Sequence, residues 1–78
     1  MKQLTGTFIN DIDRNEIEVT DATMALKQCL DAVLFHEKTK IENAKNPKVF
    51  YCKDAHKNWE HKLKQMEYMK MRHPQLFN

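Results

Sequence analysis

A few groups of residues in this chain have types and spacings that could do chemistry. Asp11, Asp13 and Asn15 alternate like the opening ligands of a calcium loop, in which successive oxygens converge on a hard cation. Such a loop also needs glycine at its sixth position and glutamate at its twelfth; here those positions hold Glu16 and Ala22. The segment reads as a polar turn. Cys52 and His56 stand four apart, close enough on one helix to reach a single zinc ion. Cys29 and His36 are the candidates for the two missing ligands, but two helical turns, roughly 10 Å of rise, separate them. Four ligands do not converge, so neither a metal nor a cofactor is expected.

His36, Glu37, Glu60 and His61 could meet across a pair of helices, the place where an acid and a base might be brought together. General acid–base catalysis needs a cleft and a reacting group within hydrogen-bond reach. Two packed helices give a ridge, and the chain contains no serine to act as nucleophile. The expectation is a non-catalytic protein. Lys53, Lys57 and Lys64 recur at intervals of four and seven with Tyr68 beside them. Spaced lysines next to an aromatic ring can neutralise phosphates and stack a base, so nucleic-acid binding through these four residues is the alternative reading. Asp54, Glu60 and Glu67 interrupt the stripe, and no helix-turn-helix, zinc-finger or ribonucleoprotein motif accompanies it.

The elements that must position these residues follow from periodicity. Glu16 to Thr20 alternates polar and β-branched residues, and Thr5 to Ile9 is also strand-favouring. Turn-forming Asp11 to Asn15 lies between them, with Asn15 able to take positive φ. A β-hairpin over 4–20 is the expectation; a short helix burying Phe8, Ile12 and Val19 is its competitor. A helix spans 21–45: Thr20 or Asp21 can cap it, and Leu26, Leu30, Val33, Ile41 and Ala44 form its apolar face. Asn46-Pro47 ends it. A second helix spans 49–73 with Pro47 near its first turn, its face being Cys52, Ala55, Trp59, Leu63, Met66 and Met69, and Pro74 stops it. The short connection makes the helices antiparallel, so residues whose numbers sum to roughly 96 should face each other. Residues 74–78 form a tail whose Leu76 and Phe77 should fold back or meet a partner. The fold class is α+β, mainly α: an N-terminal β-hairpin packed on a two-helix antiparallel hairpin within one small domain, 1–78.

Length decides how much such a fold can hide. With 78 residues, it buries only roughly 60–65% of the surface its unfolded chain exposes. Met24 and Phe35 project away from the first helix's expected apolar face, and Phe50, Tyr68 and Met71 also point outward. These five are the candidate partner-binding residues. They imply a protein–protein interaction module that self-associates, or acts as an inhibitor or adaptor on a larger protein. Charge suits orientation at such an interface. Residues 1–21 carry Lys2 and Arg14 against Asp11, Asp13, Glu16, Glu18 and Asp21, a net of −3. Residues 47–78 carry seven lysines and arginines against three acids, a net of +4. The longest apolar run, Ala32 to Phe35, falls far short of the roughly 20 residues of a membrane span. No secretory signal precedes it, so the expectation is a cytoplasmic protein with two reduced thiols and no membrane partner. With five methionines, one glycine and no serine, the chain resembles, in composition alone, the small early proteins of bacteriophages.

Overall fold

A computed structural model describes residues 4–77. Strand β1, Phe8–Asn10, pairs antiparallel with β2, Glu16–Glu18, with Phe8 opposite Glu18, Ile9 opposite Ile17 and Asn10 opposite Glu16. The turn between them is built by Asp11. Its carboxylate accepts the backbone N–H groups of Asp13 at 2.9 Å and Asn15 at 2.8 Å, and the Asn15 side-chain amide at 3.0 Å. Sequence reasoning placed positive φ at Asn15, but Arg14 takes it, at φ 69°. Asn15 is held by Asp11, and its C=O accepts the Asp11 N–H at 3.0 Å, so the reversal has to occur one residue earlier. The strands are shorter than the expected 4–20 hairpin, though Val19 N–H to Thr7 O and Leu4 N–H to Thr20 O, both 2.8 Å, extend the pairing irregularly.

Helix α1, Ala22–Lys45, begins at Asp21, whose carboxylate caps the Met24 N–H at 3.0 Å. Asn46 to Val49 is a turn closed by Val49 N–H to Asn46 O at 3.0 Å, with Pro47 inside it. Helix α2, Lys53–Arg72, therefore starts four residues later than the expected 49, and Cys52 Sγ caps its Ala55 N–H at 3.4 Å. The earlier start fails because the turn at Pro47 and the Asn43 side chain, which donates to Val49 O at 2.7 Å, commit that backbone to the connection. After Pro74 a single 3₁₀ turn, Pro74–Leu76, brings Leu76 and Phe77 back against the core. Asn78, the last residue of the expected tail, lies outside the described residues.

The two helices pack antiparallel, as expected, and the hairpin lies on α2. Cys29 and Met66 share the core, and Leu26 and Lys70 line one cleft, so facing residues do sum to roughly 96. Helix α2 uses the predicted face: Met66 is fully buried, and Trp59, Leu63 and Met69 pack around it. Helix α1 is rotated from expectation by about one residue's angular step. Its buried residues are Ala22, Cys29, Val33 and Thr39, whereas Leu30, Ile41 and Ala44 of the predicted stripe are exposed. The small side chains of α1 receive the large ones of α2, which lets the helices approach closely. Thr39 can be buried because its hydroxyl donates to Phe35 O at 2.8 Å, leaving no unpaired polar atom there.

Candidate functional site

That rotation creates the first candidate site. Leu26, Leu30, Glu37, Ile41 and Ala44, all on one side of α1, border a groove whose other bank is Lys53, Lys57, Glu60, Glu67 and Met71 of α2. On each helix these positions recur at intervals of three, four or seven, so the lining on either side is one continuous face. Leu34, 63% exposed, stands in the same row. Gln65 and Asn58, which hold the hairpin, lie roughly 200° around α2 from Glu67 and Glu60. The groove therefore opens on the side of the helix pair away from the β-hairpin. Among the described residues, no further helix or strand covers this face.

The second candidate lies between β1 and α2. Gln65 reaches the edge of β1 and pairs with Asn10 at both backbone groups, accepting its N–H at 2.9 Å and donating to its C=O. Asn58 accepts the Ile12 N–H at 3.1 Å. Two side-chain amides thus substitute for a neighbouring strand and fix the distance between hairpin and helix. Toward the C-terminal end of α2 the elements diverge into a cleft of about 590 Å³, with Phe8, Tyr68, Lys64, Arg72, His61 and His73 on its walls. The Arg72 guanidinium carbon lies 5.8 Å from the centre of the Tyr68 ring, a cation–π distance.

A third cluster is internal. His56 is buried and its Nδ1 is hydrogen-bonded to the Tyr51 hydroxyl at 2.6 Å. His36 stacks on the His56 ring with centroids 5.8 Å apart. His56 Nε2 has no hydrogen-bond partner, and the nearest carboxylate oxygen, of Glu60, is 3.8 Å away. The Cys52 sulfur nearby accepts the Ala55 N–H at 3.4 Å as the cap of α2.

Compared with known proteins, the chain matches no family model, no curated protein and no solved structure.

The residues singled out by sequence separate in space. Asp11, Asp13 and Asn15 bond one another within the turn, and donor contacts from Asn15 hold the Asp11 carboxyl below the usual carboxylate range. Among the described residues, no group of three or more histidines, cysteines and acids could hold a metal ion. Cys29 and Cys52 are both free thiols, and burial pushes the Cys29 thiol up. Of the expected acid–base cluster, His36, Glu37 and Glu60 gather around His56, while His61 lines the β1–α2 cleft. Of the lysine stripe, Lys53 and Lys57 border the groove while Lys64 and Tyr68 border the cleft. Met24, Phe35, Phe50, Tyr68 and Met71 are all exposed, Phe50 most of all at 82%. The hairpin covers neither Met24 nor Phe35. Those two share a face of α1, Met71 is in the groove, Tyr68 in the cleft and Phe50 in the connection. Leu34, Phe8 and Arg72 are site-lining residues that the sequence does not single out. Leu34 was detectable by its spacing of four from Leu30; Phe8 depends on docking distance and gave no such signal.

Proposed function

We propose that the chain is a non-catalytic protein–protein interaction module whose α1–α2 groove receives a helix, the simplest occupant being α1 of a second copy. The observation that carries this reading is the row Leu30, Leu34, Ile41 and Ala44, a helix face of core-like composition that faces solvent. An uncovered apolar row of this kind marks an interaction surface. Laid antiparallel about a two-fold axis, Leu30 of one copy meets Ile41 of the other, and Leu34 meets Glu37. In that register Asp31 faces Lys38 twice, so the flanking charges agree with the apolar register. Glu37 is the misfit in the seam and weakens the association. The free thiols fit a reducing compartment, hence a cytoplasmic module. On a larger protein the same groove would make it an inhibitor or adaptor.

Sedimentation equilibrium over roughly 1–300 μM, a range that brackets typical weak self-association, tests the reading. The wild type should move from monomer to dimer. Leu34→Glu should remain monomeric with unchanged helicity, and Glu37→Leu should tighten the dimer about tenfold, the effect of some 1.4 kcal/mol. A wild type and a Glu37→Leu variant that both stay monomeric throughout would remove self-association. If the wild type then also captures no cellular protein that Leu34→Glu loses, the module reading fails altogether.

A further inference from the structure

The cleft between β1 and α2 is independent of the groove and has different chemistry. We propose that it binds a nucleotide unit, the base stacking on Tyr68 and Phe8 and the phosphate held by Lys64 and Arg72. Its volume of about 590 Å³ falls within the roughly 300–1,000 Å³ of small-ligand sites. Both rings keep about half or more of their surface exposed, Phe8 49% and Tyr68 57%. An aromatic face open to solvent beside cations is the arrangement on which single bases stack.

The two α2 walls differ in charge: the groove mixes acids with Lys53, Lys57 and Lys70, and the cleft has cations alone. The α2 acids Glu60 and Glu67 border the groove, whereas the cleft is bordered by Lys64, Arg72, His61 and His73 with no carboxylate among its lining residues. The nearest acid by strand register is Glu18, cross-strand from Phe8, which stands at the rim and opposes an anion. Arg72 is already placed against Tyr68, so it can contact a phosphate and a ring-stacked base together. A plain anion site would need the cations alone; the paired rings select a ligand with a flat aromatic part. The Gln65 clamp on Asn10 keeps the walls apart before any ligand arrives, which reduces the ordering cost of binding.

The nucleotide unit could belong to a free nucleoside phosphate or to a single strand. Lys57 and Lys53 border the groove but share a helical row with Lys64, so along this ridge they would serve further phosphates of a strand. The experiment titrates the full chain at low salt with ADP and with fluorescein-labelled single-stranded DNA and RNA octamers of mixed sequence. Binding is read from amide shifts at Phe8, Lys64 and Tyr68 and from anisotropy. Expected results are saturable shifts at those residues and a loss of about tenfold or more in affinity for Tyr68→Ala, the weight of one stacked base. Tyr68→Phe should retain binding, the Lys64→Glu, Arg72→Glu double variant should lose it, and Glu18→Gln should strengthen it. If a strand is the source, the octamer binds more tightly than ADP with a steeper salt dependence that Lys57→Glu reduces; a free nucleotide leaves Lys57→Glu without effect. Leu34→Glu, which disables the groove, should leave either ligand's binding intact, so the two readings fail separately. Absence of shifts with millimolar ADP and with octamer overturns the proposal. So does binding that Tyr68→Ala leaves unchanged in a folded variant, or a glutamate-rich peptide that binds as well as the octamer.

Discussion

The β-hairpin and the helix pair are held together by different physics. Between the helices the contacts are apolar, with Met66 wholly enclosed by Cys29, Trp59, Leu63 and Met69 and their neighbours. The hairpin buries Ile9 and Val19, and much of the rest of its attachment is polar: Asp11 within the turn, Gln65 on Asn10 and Asn58 on Ile12. Apolar packing tolerates rotation of a helix as long as volume is filled. Amide pairing requires one register. The hairpin is accordingly placed by a few specific atoms, and the helix pair by the shapes of its side chains. One consequence is that the cleft beside the hairpin is rigidly spaced, while the groove between the helices is the face able to repack around an incoming helix.

The strongest way to break this contrast is to remove the residue on which both regions rest. Met66→Ala leaves a cavity beneath both the hairpin and α1 and should cost about 2–5 kcal/mol, a large part of the stability of so small a domain. Urea unfolding followed by far-ultraviolet circular dichroism should show an early, shared loss of both regions. Retention of the hairpin's amide protection after the helices melt would contradict a common core. Next in size is Asp21→Ala at the junction. It frees the Met24 N–H and should lower global stability by about 1 kcal/mol, visible as a fall in Tm with the fold unchanged.

How far the sequence revealed all this differs between the two regions for the same reason. Hairpin, turn and helix ends depend on local chemistry: Asp11 with Asn15, Asp21 as cap, Pro47 and Pro74 as stops. Those were readable at sight, apart from the one-residue displacement of positive φ onto Arg14 and the late start of α2. The rotation of α1 depends on a choice between two faces. One carries the larger aliphatic groups Leu30 and Ile41, with Ala44; the other carries Ala22, Cys29, Val33, His36 and Thr39, with Leu26 at the border between them. Hydrophobicity favours the first, but large α2 side chains leave room for the second, and hydrogen bonds with Phe35 O and with the Tyr51 hydroxyl let Thr39 and His56 be buried. Steric fit between helices is not written in either helix alone. Of the apolar stripe, Val33 is core and Leu26 packs against it, while Leu30, Ile41 and Ala44 face the groove; half of the cleft, Lys64 and Tyr68, was visible without the strand that completes it.

Gln65→Ala sharpens the comparison by loosening one region alone. The Asn10 N–H and C=O are exposed and can turn to water, so the loss should be about 0.5–1.5 kcal/mol, confined to the hairpin. Hydrogen exchange should quicken at Ile9, Asn10 and Val19 while the Met66 amide on α2 keeps its protection. Equal acceleration at Met66 would mean that the hairpin and helix pair open as one unit.

The smallest effect lies inside the turn and concerns acid. Donors from Asn15 and Asp13 hold the Asp11 carboxyl below its ordinary value, so the folded hairpin binds a proton less readily than the unfolded chain. The stabilisation this gives is complete above the unfolded pKa of about 3.9. It is lost as pH falls through the lower folded value. An NMR titration from pH 6 to pH 2 should therefore show the Asn15 amide moving with a midpoint below about 3.9, and hairpin exchange quickening only in that acid range. Asp11→Ala should leave the Asn15 amide without that titration while its hairpin is already looser at neutral pH. An Asn15 amide that titrates at or above the ordinary aspartate value would mean that the carboxylate is not what closes the turn, and the reversal at Arg14 would then need another cause.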